Sequence, residues 1–410
     1  MADTLNVGAD TAGDAVAHTR ALVQCPSVTP EEAGALSYLE DRLDAIGFAA
    51  HRLVFSDEGI PDVDNLFARI GTSGPHLCLA GHTDVVPPGD VAAWTYPPFS
   101  AEVIDGVMYG RGTADMKGSV AAFLAAAERV VARYEGALPG SLSLLITGDE
   151  EAIAVNGTVK VLEWMVANGH APDHCLVGEP TCTETVGSHI KIGRRGSLTG
   201  DLVISGKQGH VAYQHFACNP VPAMLAALSA LTNAPLDHGN VHFPASNLEV
   251  TTVDIGNPAE NIIPARVAAT FNVRFNDLHS LASLTEILQR RVDEAVAPFQ
   301  KLPDLQVDLS FRYSNADAFM TEPGPFIDAM GAAVHQHTGL TPELATSGGT
   351  SDARFITKVC PVFEFGPLNA TIHQVDERVP VSDLELLCDI YETFIVNYFE
   401  TFADASSPTS

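Results

Sequence analysis

The sequence predicts an α/β fold with a mixed, largely parallel sheet and flanking helices, into which a smaller α+β domain is inserted. Up to Val177, apolar strand segments alternate with amphipathic helices, which is the order that builds parallel sheets. From Leu198 to Phe311 the order becomes strand, helix, strand, strand, helix, strand, which is the ferredoxin-like arrangement. With 410 residues, the chain is long enough for two such domains.

The elements of the first half follow from the spacing of their apolar residues. In one predicted helix, Leu36, Leu39 and Leu43 recur at helical spacing, and Gly47 follows as a C-cap. A continuous apolar run such as 77–80 is typical of a buried strand. On these grounds we predict helices over 14–24, 31–46, 119–134 and 158–167, and strands over 65–70, 76–80, 107–109, 142–147 and 174–177.

The second half contains the inserted domain and then returns to the first one. We predict strands over 198–205, 246–255, 266–275, 305–311 and 362–365, and helices over 220–231, 281–296 and 380–402. The tail 403–410 is expected to fray. The predicted domains are therefore 1–195 and 314–410 as two parts of one catalytic domain, with 196–313 as the insertion.

Composition excludes several classes of protein. The formal net charge of −29 disfavours nucleic acid and anionic membrane surfaces, since both bind through Lys and Arg. The first residues carry no basic segment followed by an apolar core, and no apolar run reaches membrane-spanning length. The seven cysteines are scattered without a CxxC pair, which disfavours a disulfide framework and zinc–thiolate sites. These features predict a cytoplasmic protein with reduced thiols.

Acidic and imidazole side chains follow the predicted strands or lie in Gly-rich turns. His82 and Asp84 come directly after the strand 76–80, and a metal-binding imidazole commonly donates its other N–H to a carboxylate. Gathering such groups in one place would be costly unless cations neutralised them. Two divalent metals would do so. The residues of this kind are His82, Asp84, Asp115, Glu150, Glu151, Glu179 and His373.

Nine motifs, taken in order along the chain, carry a resemblance to a known family. Five of them resemble the co-catalytic zinc aminoacylase/carboxypeptidase family, the M20 peptidases: His82-x-Asp84, Asp115-Met116-Lys117-Gly118, Asp149-Glu150-Glu151, Gly178-Glu179-Pro180 and Thr371-Ile372-His373. Four more resemble the succinyl-diaminopimelate desuccinylases within it: GRRGS (193–197), QGHVAY (208–213), SGGTSDARF (347–355) and FGPLNATIH (365–373). The resemblance spans roughly residues 15–400 and implies a zinc-exopeptidase-like fold with an inserted dimerisation or lid domain.

The resemblance also implies two Zn²⁺ ions per subunit, for which Co²⁺ can substitute. The implied ligands are Asp115 as a bridge, His82 and Glu179 on one ion, and Glu151 and His373 on the other. Each ion then has one histidine and two carboxylates, which is ordinary zinc chemistry. Asp84 would accept the ring N–H of His82, and a cis peptide bond is expected between Asp115 and Met116.

The activity implied is hydrolysis of the amide of N-succinyl-L,L-2,6-diaminopimelate to succinate and L,L-2,6-diaminopimelate, a step of lysine biosynthesis. Metal-bound hydroxide would attack the succinyl carbonyl, with Glu150 as general base. His210, supplied by the other subunit of a homodimer formed through the inserted domain, would stabilise the oxyanion. The implied substrate-binding residues are Arg194, Tyr213, Asn261, Arg274, Gly348, Gly349, Thr350 and Arg354; guanidinium groups match carboxylates in a bidentate way.

Other functions remain open on the sequence alone. An acetylornithine deacetylase, another N-acyl-amino-acid amidohydrolase or a dipeptidase would keep the chemistry and change the substrate. A non-catalytic binding protein descended from the same fold is a further alternative, although it would have no need of Glu150 as a free base. The loop 348–350 lacks the GxxxxGK pattern, which excludes a phosphate-binding P-loop there.

Overall fold

The computed structural model describes residues 11–302, 304–313 and 317–403; of the tail 403–410, all but the first residue lies outside the described residues. The strands are β1 (Ala49–Asp57), β2 (Ile60–Ile70), β3 (His76–His82), β4 (Glu102–Ile104), β5 (Val107–Tyr109), β6 (Ser141–Thr147), β7 (His174–Val177), β8 (His189–Lys191), β9 (Gly193–Arg194), β10 (Gly196–Ser205), β11 (Gly209–His210), β12 (Asn247–Asp254), β13 (Ile262–Ile263), β14 (Arg266–Phe275), β15 (Gln306–Tyr313), β16 (Phe319–Met320), β17 (Glu343–Ala345), β18 (Val362–Glu364) and β19 (Arg378–Pro380). The helices are α1 (Ala15–Val23), α2 (Ala35–Ala45), α3 (Lys117–Arg133), α4 (Thr158–Ala167), α5 (Val221–Thr232), α6 (Leu281–Val296), α7 (Pro325–Thr338), α8 (Ala353–Ile356) and α9 (Val381–Phe402).

The chain divides into two compact units, and the first comprises Met1–Ile192, Thr321–Ala345 and Ser351–Ser410. Its large sheet has the strand order β1-β2-β6-β3-β7-β18-β8-β17. The pairs β6–β3, β3–β7, β7–β18 and β8–β17 are parallel, whereas β1–β2, β2–β6 and β18–β8 are antiparallel. The predicted mixed, largely parallel sheet is therefore confirmed.

Three neighbouring parallel strands end at the same edge of this sheet. His82 at the end of β3 pairs with Thr147 at the end of β6, and Ala80 pairs with Val177 at the end of β7. Every residue of β3 and of β6 is buried. The segments that leave these strands consequently start side by side, at the edge where open α/β sheets bind their ligands.

Helix α3 is almost wholly buried, and its Glu128 ties it to α1 and α2. His18 Nε2 of α1 lies 3.0 Å from Glu128 Oε2, and Arg42 Nε of α2 donates to Glu128 Oε1 at 3.0 Å. The backbone N–H of Gly13 also donates to this carboxylate. One buried charge thus joins three helices, as is usual for a carboxylate that is paired and hydrogen-bonded.

The second unit comprises Gly193–Met320 and Thr346–Thr350. Its sheet has the order β12-β14-β10-β15 and is antiparallel throughout. Helix α6 contributes Leu284, Leu288, Val292 and Val296 at four-residue spacing to a core that also contains the inward residues of β10 and β14. With α5 between β10 and β12, the order is the predicted ferredoxin-like one. Within the described part of the chain, no helix has both the length and the apolar character needed to cross a bilayer.

Candidate dinuclear metal centre

His82 is the imidazole ligand of the first candidate metal position, which it forms with Asp115 and Glu179. Its side chain is buried, and its Nδ1–H donates to the main-chain oxygen of Asp84 at 2.8 Å. That bond fixes the tautomer and leaves Nε2 with its lone pair. Nε2 is buried without a hydrogen bond to any residue the structure describes, 3.3 Å from Asp115 Oδ1 and 4.0 Å from Glu179 Oε1. An orphaned imidazole nitrogen facing two carboxylates has the arrangement of a metal ligand.

His373 is the imidazole ligand of the second candidate metal position, which it forms with Asp115 and Glu151. Its Nε2 lies 2.9 Å from Glu151 Oε1 and 3.3 Å from Asp115 Oδ2. Hydrogen bonds to Asp115 and Glu151 raise the pKa of His373 to about 10. Asp115 therefore gives one carboxylate oxygen to each group, which is the geometry that a bridging ligand requires.

Glu377 holds the turn that presents Asp115. Its fully buried carboxylate accepts the backbone N–H groups of Ala114 and Asp115 at 2.9 and 3.1 Å, and Arg111 Nη1 donates to it at 2.7 Å. The peptide bond from Asp115 to Met116 is cis, as expected. Our sequence reasoning missed Glu377; its only signal was an acidic residue shortly after the motif that ends at His373.

Asp84 holds the two adjacent glutamates through their main chain. We expected its carboxylate to accept the ring N–H of His82, but the main-chain oxygen of Asp84 does so, and Oδ1 is 3.6 Å from Nδ1. The carboxylate instead accepts the backbone N–H groups of Glu150 at 3.3 Å and Glu151 at 3.0 Å. The expectation was wrong in the acceptor atom, because the main-chain oxygen of Asp84 lies within hydrogen-bond distance of His82 Nδ1 and its carboxylate does not.

Glu150 differs from its neighbour Glu151 in having a free carboxyl group. It makes no side-chain hydrogen bond within the described part of the chain, although it lies in one group with His82 and Glu151. Burial, followed by the negative charge of Glu179, raises the pKa of Glu150 well above its usual value. A free carboxyl group with a raised pKa is suited to accept and return a proton near neutral pH.

The donor set of the two groups fits a pair of divalent cations. One group is His82, Asp115 and Glu179, the other is Asp115, Glu151 and His373, and the ligand atoms of each lie within 4.8 Å of one another. One imidazole nitrogen and two carboxylates per ion is a normal set for zinc and related metals. The chain therefore contains candidate ligands for a dinuclear centre.

Comparisons with known proteins place the chain in a family. Residues 78–397 match the model of peptidase family M20/M25/M40. The chain belongs to the M20/M25/M40 peptidase family. A succinyl-diaminopimelate desuccinylase of Rhodopseudomonas palustris is 54% identical over 95% of this chain and 99% of its own length. One of Methylorubrum extorquens is 54% identical over 94% of this chain and 98% of its own.

A solved structure shows the same fold. The M20 family metallo-carboxypeptidase Sso-CP2 from Sulfolobus solfataricus superposes with a TM-score of 0.71, covering 94% of this chain and 99% of that one. The two sequences are 18% identical, so the likeness concerns the fold alone. It supports the assignment of this chain to the fold of the M20 peptidases.

In the second unit of this M20 peptidase, three residues predicted from the sequence lie together. His210 pairs with Ile262, which follows Asn261, and the Asn261 carbonyl accepts the N–H of Val211. The ring centroids of His210 and Tyr213 are 5.6 Å apart. His210 Nδ1 accepts the N–H of Ala212 at 3.0 Å, which leaves the proton on Nε2. An exposed imidazole with a free Nε2–H can donate to an oxyanion.

The remaining predicted substrate-binding residues are divided between the second unit and the first unit. Buried Arg194 donates to the carbonyl of Gly349 at 2.9 Å, which joins it to the loop of Gly348, Gly349 and Thr350 in the second unit. Arg274 lies on β14 opposite Ser197, and burial lowers its pKa. Arg354 belongs to the first unit, where its guanidinium lies 4.4 Å from the ring centroid of Phe355.

Proposed function

We propose that this M20 peptidase is a zinc-dependent amidohydrolase that cleaves N-succinyl-L,L-2,6-diaminopimelate to succinate and L,L-2,6-diaminopimelate. The observation that carries the proposal is 54% identity, over 95% of the chain, to a protein named succinyl-diaminopimelate desuccinylase. Two ligand groups that share Asp115 are consistent with it, because amide hydrolysis needs an activated water molecule.

In this proposal, zinc would bind at His82, Asp115, Glu151, Glu179 and His373, and as a Lewis acid it would polarise the succinyl carbonyl and acidify water. Glu150 removes a proton from the attacking water. As the carbon–nitrogen bond breaks, Glu150 returns that proton to the leaving nitrogen. Asp84 keeps Glu150 in place through the backbone N–H that its carboxylate accepts.

The substrate's carboxylates would be bound by Arg194, Arg274 and Arg354, since guanidinium groups form bidentate pairs with carboxylates. Tyr213, Asn261 and the loop of Gly348, Gly349 and Thr350 would supply further polar contacts. His210 would act on the oxyanion from the partner subunit of a homodimer formed through the second unit. We further propose a cytoplasmic location, as is usual for an enzyme of amino-acid biosynthesis.

The test is hydrolysis of N-succinyl-L,L-diaminopimelate by chelated protein that is titrated with zero, one and two equivalents of zinc. We expect no turnover without metal and full turnover at two equivalents. Comparing the turnover at one and at two equivalents of zinc shows what the second zinc ion contributes. Cleavage of N-acetylornithine, with no cleavage of the succinyl substrate at any loading, would overturn the substrate and keep the metal centre.

A further inference from the structure

A small cavity in the first unit is lined in part by two of the candidate metal ligands, His82 and Glu179. Its volume is about 10 Å³, close to the space that one water molecule needs. Apolar walls come from Ala80, Met116 and Val177, and polar groups come from Glu150, Thr158 and Asp352, among others. Because its walls are partly polar and it is of water size, the cavity is suited to one water and to nothing larger.

Among the residues that line this cavity, Asp352 has a buried carboxylate oxygen without a hydrogen-bond partner in the described part of the chain. The side chain is buried, with 5% of the residue exposed. Its Oδ2 accepts the hydroxyl of Thr158, the first residue of α4, at 2.6 Å. Its Oδ1 is buried without a hydrogen-bond partner among the residues described. A buried acceptor of this kind costs free energy unless a donor satisfies it.

Glu150 presents a second acceptor to the same cavity. Its carboxyl group makes no hydrogen bond within the described part of the chain, and it lines the cavity together with Asp352. Two donors that line the cavity are already used, because the Thr158 hydroxyl donates to Asp352 and His82 Nδ1–H donates to the Asp84 carbonyl. Two acceptors therefore face one cavity, and a water molecule has two hydrogens to donate.

We propose that the cavity binds one water molecule that donates to Asp352 Oδ1 and to Glu150, and that Asp352 is thereby a positioning residue for Glu150. The inference rests on the proposed role of Glu150 as general base. Thr158 fixes Asp352, Asp352 fixes the water, and the water holds the Glu150 carboxyl group in one orientation. Proton transfer requires that orientation, since a general base must lie within hydrogen-bond reach of the proton it removes.

The test compares Asp352→Asn and Asp352→Leu, two side chains of similar size, in the zinc-loaded protein. A crystal structure that resolves ordered water is expected to show one molecule bonded to Asp352 and Glu150 in the unmodified protein. Asn retains hydrogen-bonding capacity, so kcat should stay within about threefold. Leu removes the acceptor and should lower kcat by about tenfold or more, with KM and zinc content unchanged.

Matched controls are Asp383→Asn and Asp383→Leu, which alter a partly buried carboxylate of α9 and should change none of these quantities. The inference is overturned if the cavity of the unmodified protein shows no such water, if Asp352→Leu keeps its kcat, or if both Asp352 variants lose zinc. Failure of the unmodified protein to hydrolyse the succinyl substrate would overturn the proposed function. The presence or absence of electron density for a water molecule in the cavity tests the water site, whatever the substrate is.

Discussion

Two adjacent glutamates show how one stretch of backbone can serve two purposes. The Asp84 carboxylate binds the N–H groups of both Glu150 and Glu151. Glu151 then places Oε1 2.9 Å from His373, whereas the Glu150 carboxyl group makes no hydrogen bond among the residues described. The shared anchor keeps the two side chains in fixed relation, so removing one should leave the other in place.

Replacing Glu150 by Ala should abolish turnover and leave both metals bound. Loss of a general base typically costs ~10²–10⁴ in rate, and Glu150 belongs to neither of the two groups that share Asp115. Metal content per subunit after dialysis and kcat would be measured together. Glu151→Ala is the matched control and should lose metal as well as activity. Survival of activity in Glu150→Ala would show that another group accepts the proton.

Replacing Glu377 by Gln should weaken metal binding although Glu377 touches no metal. An amide cannot accept from Arg111 on one side and from Ala114 and Asp115 on the other, so the Asp115 turn loosens. Loss of such a supporting group typically lowers metal affinity 10–100-fold. Competition with a chelator measures it, with exposed Glu385→Gln of α9 as the control. Equal affinities in both variants would contradict the role we give to Glu377.

At the scale of elements, Glu128 is the charge on which the packing of α1, α2 and α3 depends. Burial alone would raise its pKa, but hydrogen bonds from His18, Gly13 and Arg42 lower the pKa below its usual value. A carboxylate with a lowered pKa stabilises the folded state at neutral pH. This contribution is lost as the pH falls through the folded-state pKa.

The Glu128→Gln variant should be less stable by about 3 kcal/mol at pH 7, because it leaves Arg42 and His18 without their buried partner. Urea denaturation at several pH values measures the free energy of unfolding. The difference from the unmodified protein should shrink as the pH falls through the lowered folded-state pKa of Glu128, where the carboxylate itself becomes protonated. A difference that does not change with pH would mean that packing, not charge, holds these helices.

Long elements with a clear period could be predicted from the sequence, and so could the short strands β5 and β7, whereas several other short strands could not. The predicted bounds of α4, β7, β14 and α6 agree with the structure residue for residue. Helix α2 begins at Ala35 rather than at 31, because Gly34 adopts φ +93°, outside the helical region. Strand β1 was missed because its residues are mostly half-buried and show no alternation. Three-residue strands such as β8 and β17 depend on partners far along the chain.

The residues of the candidate centre could be predicted where their side chains are of a type that binds metal ions. Imidazole and carboxylate side chains beyond strand ends are visible in a sequence, and the five predicted ligands do form the two groups. Glu377 and the main-chain oxygen of Asp84 were not predictable, since what they contact depends on backbone geometry. From the sequence, Asp352 could be interpreted as a residue that caps or braces the Gly-rich turn, or as one that contacts the substrate. Its place in a cavity was not predictable, because a cavity leaves no pattern in a sequence.

At the scale of the whole molecule, the division into units bears on how the site is completed. The predicted boundaries at 195/196 and 313/314 compare with unit boundaries at 192/193 and 320/321. All five candidate ligands and Glu150 belong to the first unit, and exposed His210 belongs to the second. The proposal that His210 acts from a partner subunit can therefore be tested by mixing subunits.

Glu150→Ala and His210→Ala proteins should each be inactive or nearly so, and mixing them should restore activity. If His210 acts in trans, a mixed dimer contains one site with both groups intact, so equal mixing should recover about a quarter of the unmodified activity. Steady-state rates after subunit exchange measure it. Glu150→Ala mixed with Glu151→Ala is the control and should stay inactive, since each defect lies within its own site. No recovery in the first mixture would place His210 in its own subunit's site.

The positions of the ligands along the chain set an order in time during synthesis. His82, Asp115 and Glu179, which form the first group, are all translated by the time Ile192 is added. His373 of the second group, and Glu377 that steadies the shared Asp115, arrive almost two hundred residues later. A nascent chain on the ribosome thus contains every ligand side chain of one cation position long before it contains those of the other. Because Asp115 is shared and Glu377 holds its turn, the carboxyl-terminal segment is needed to complete both positions.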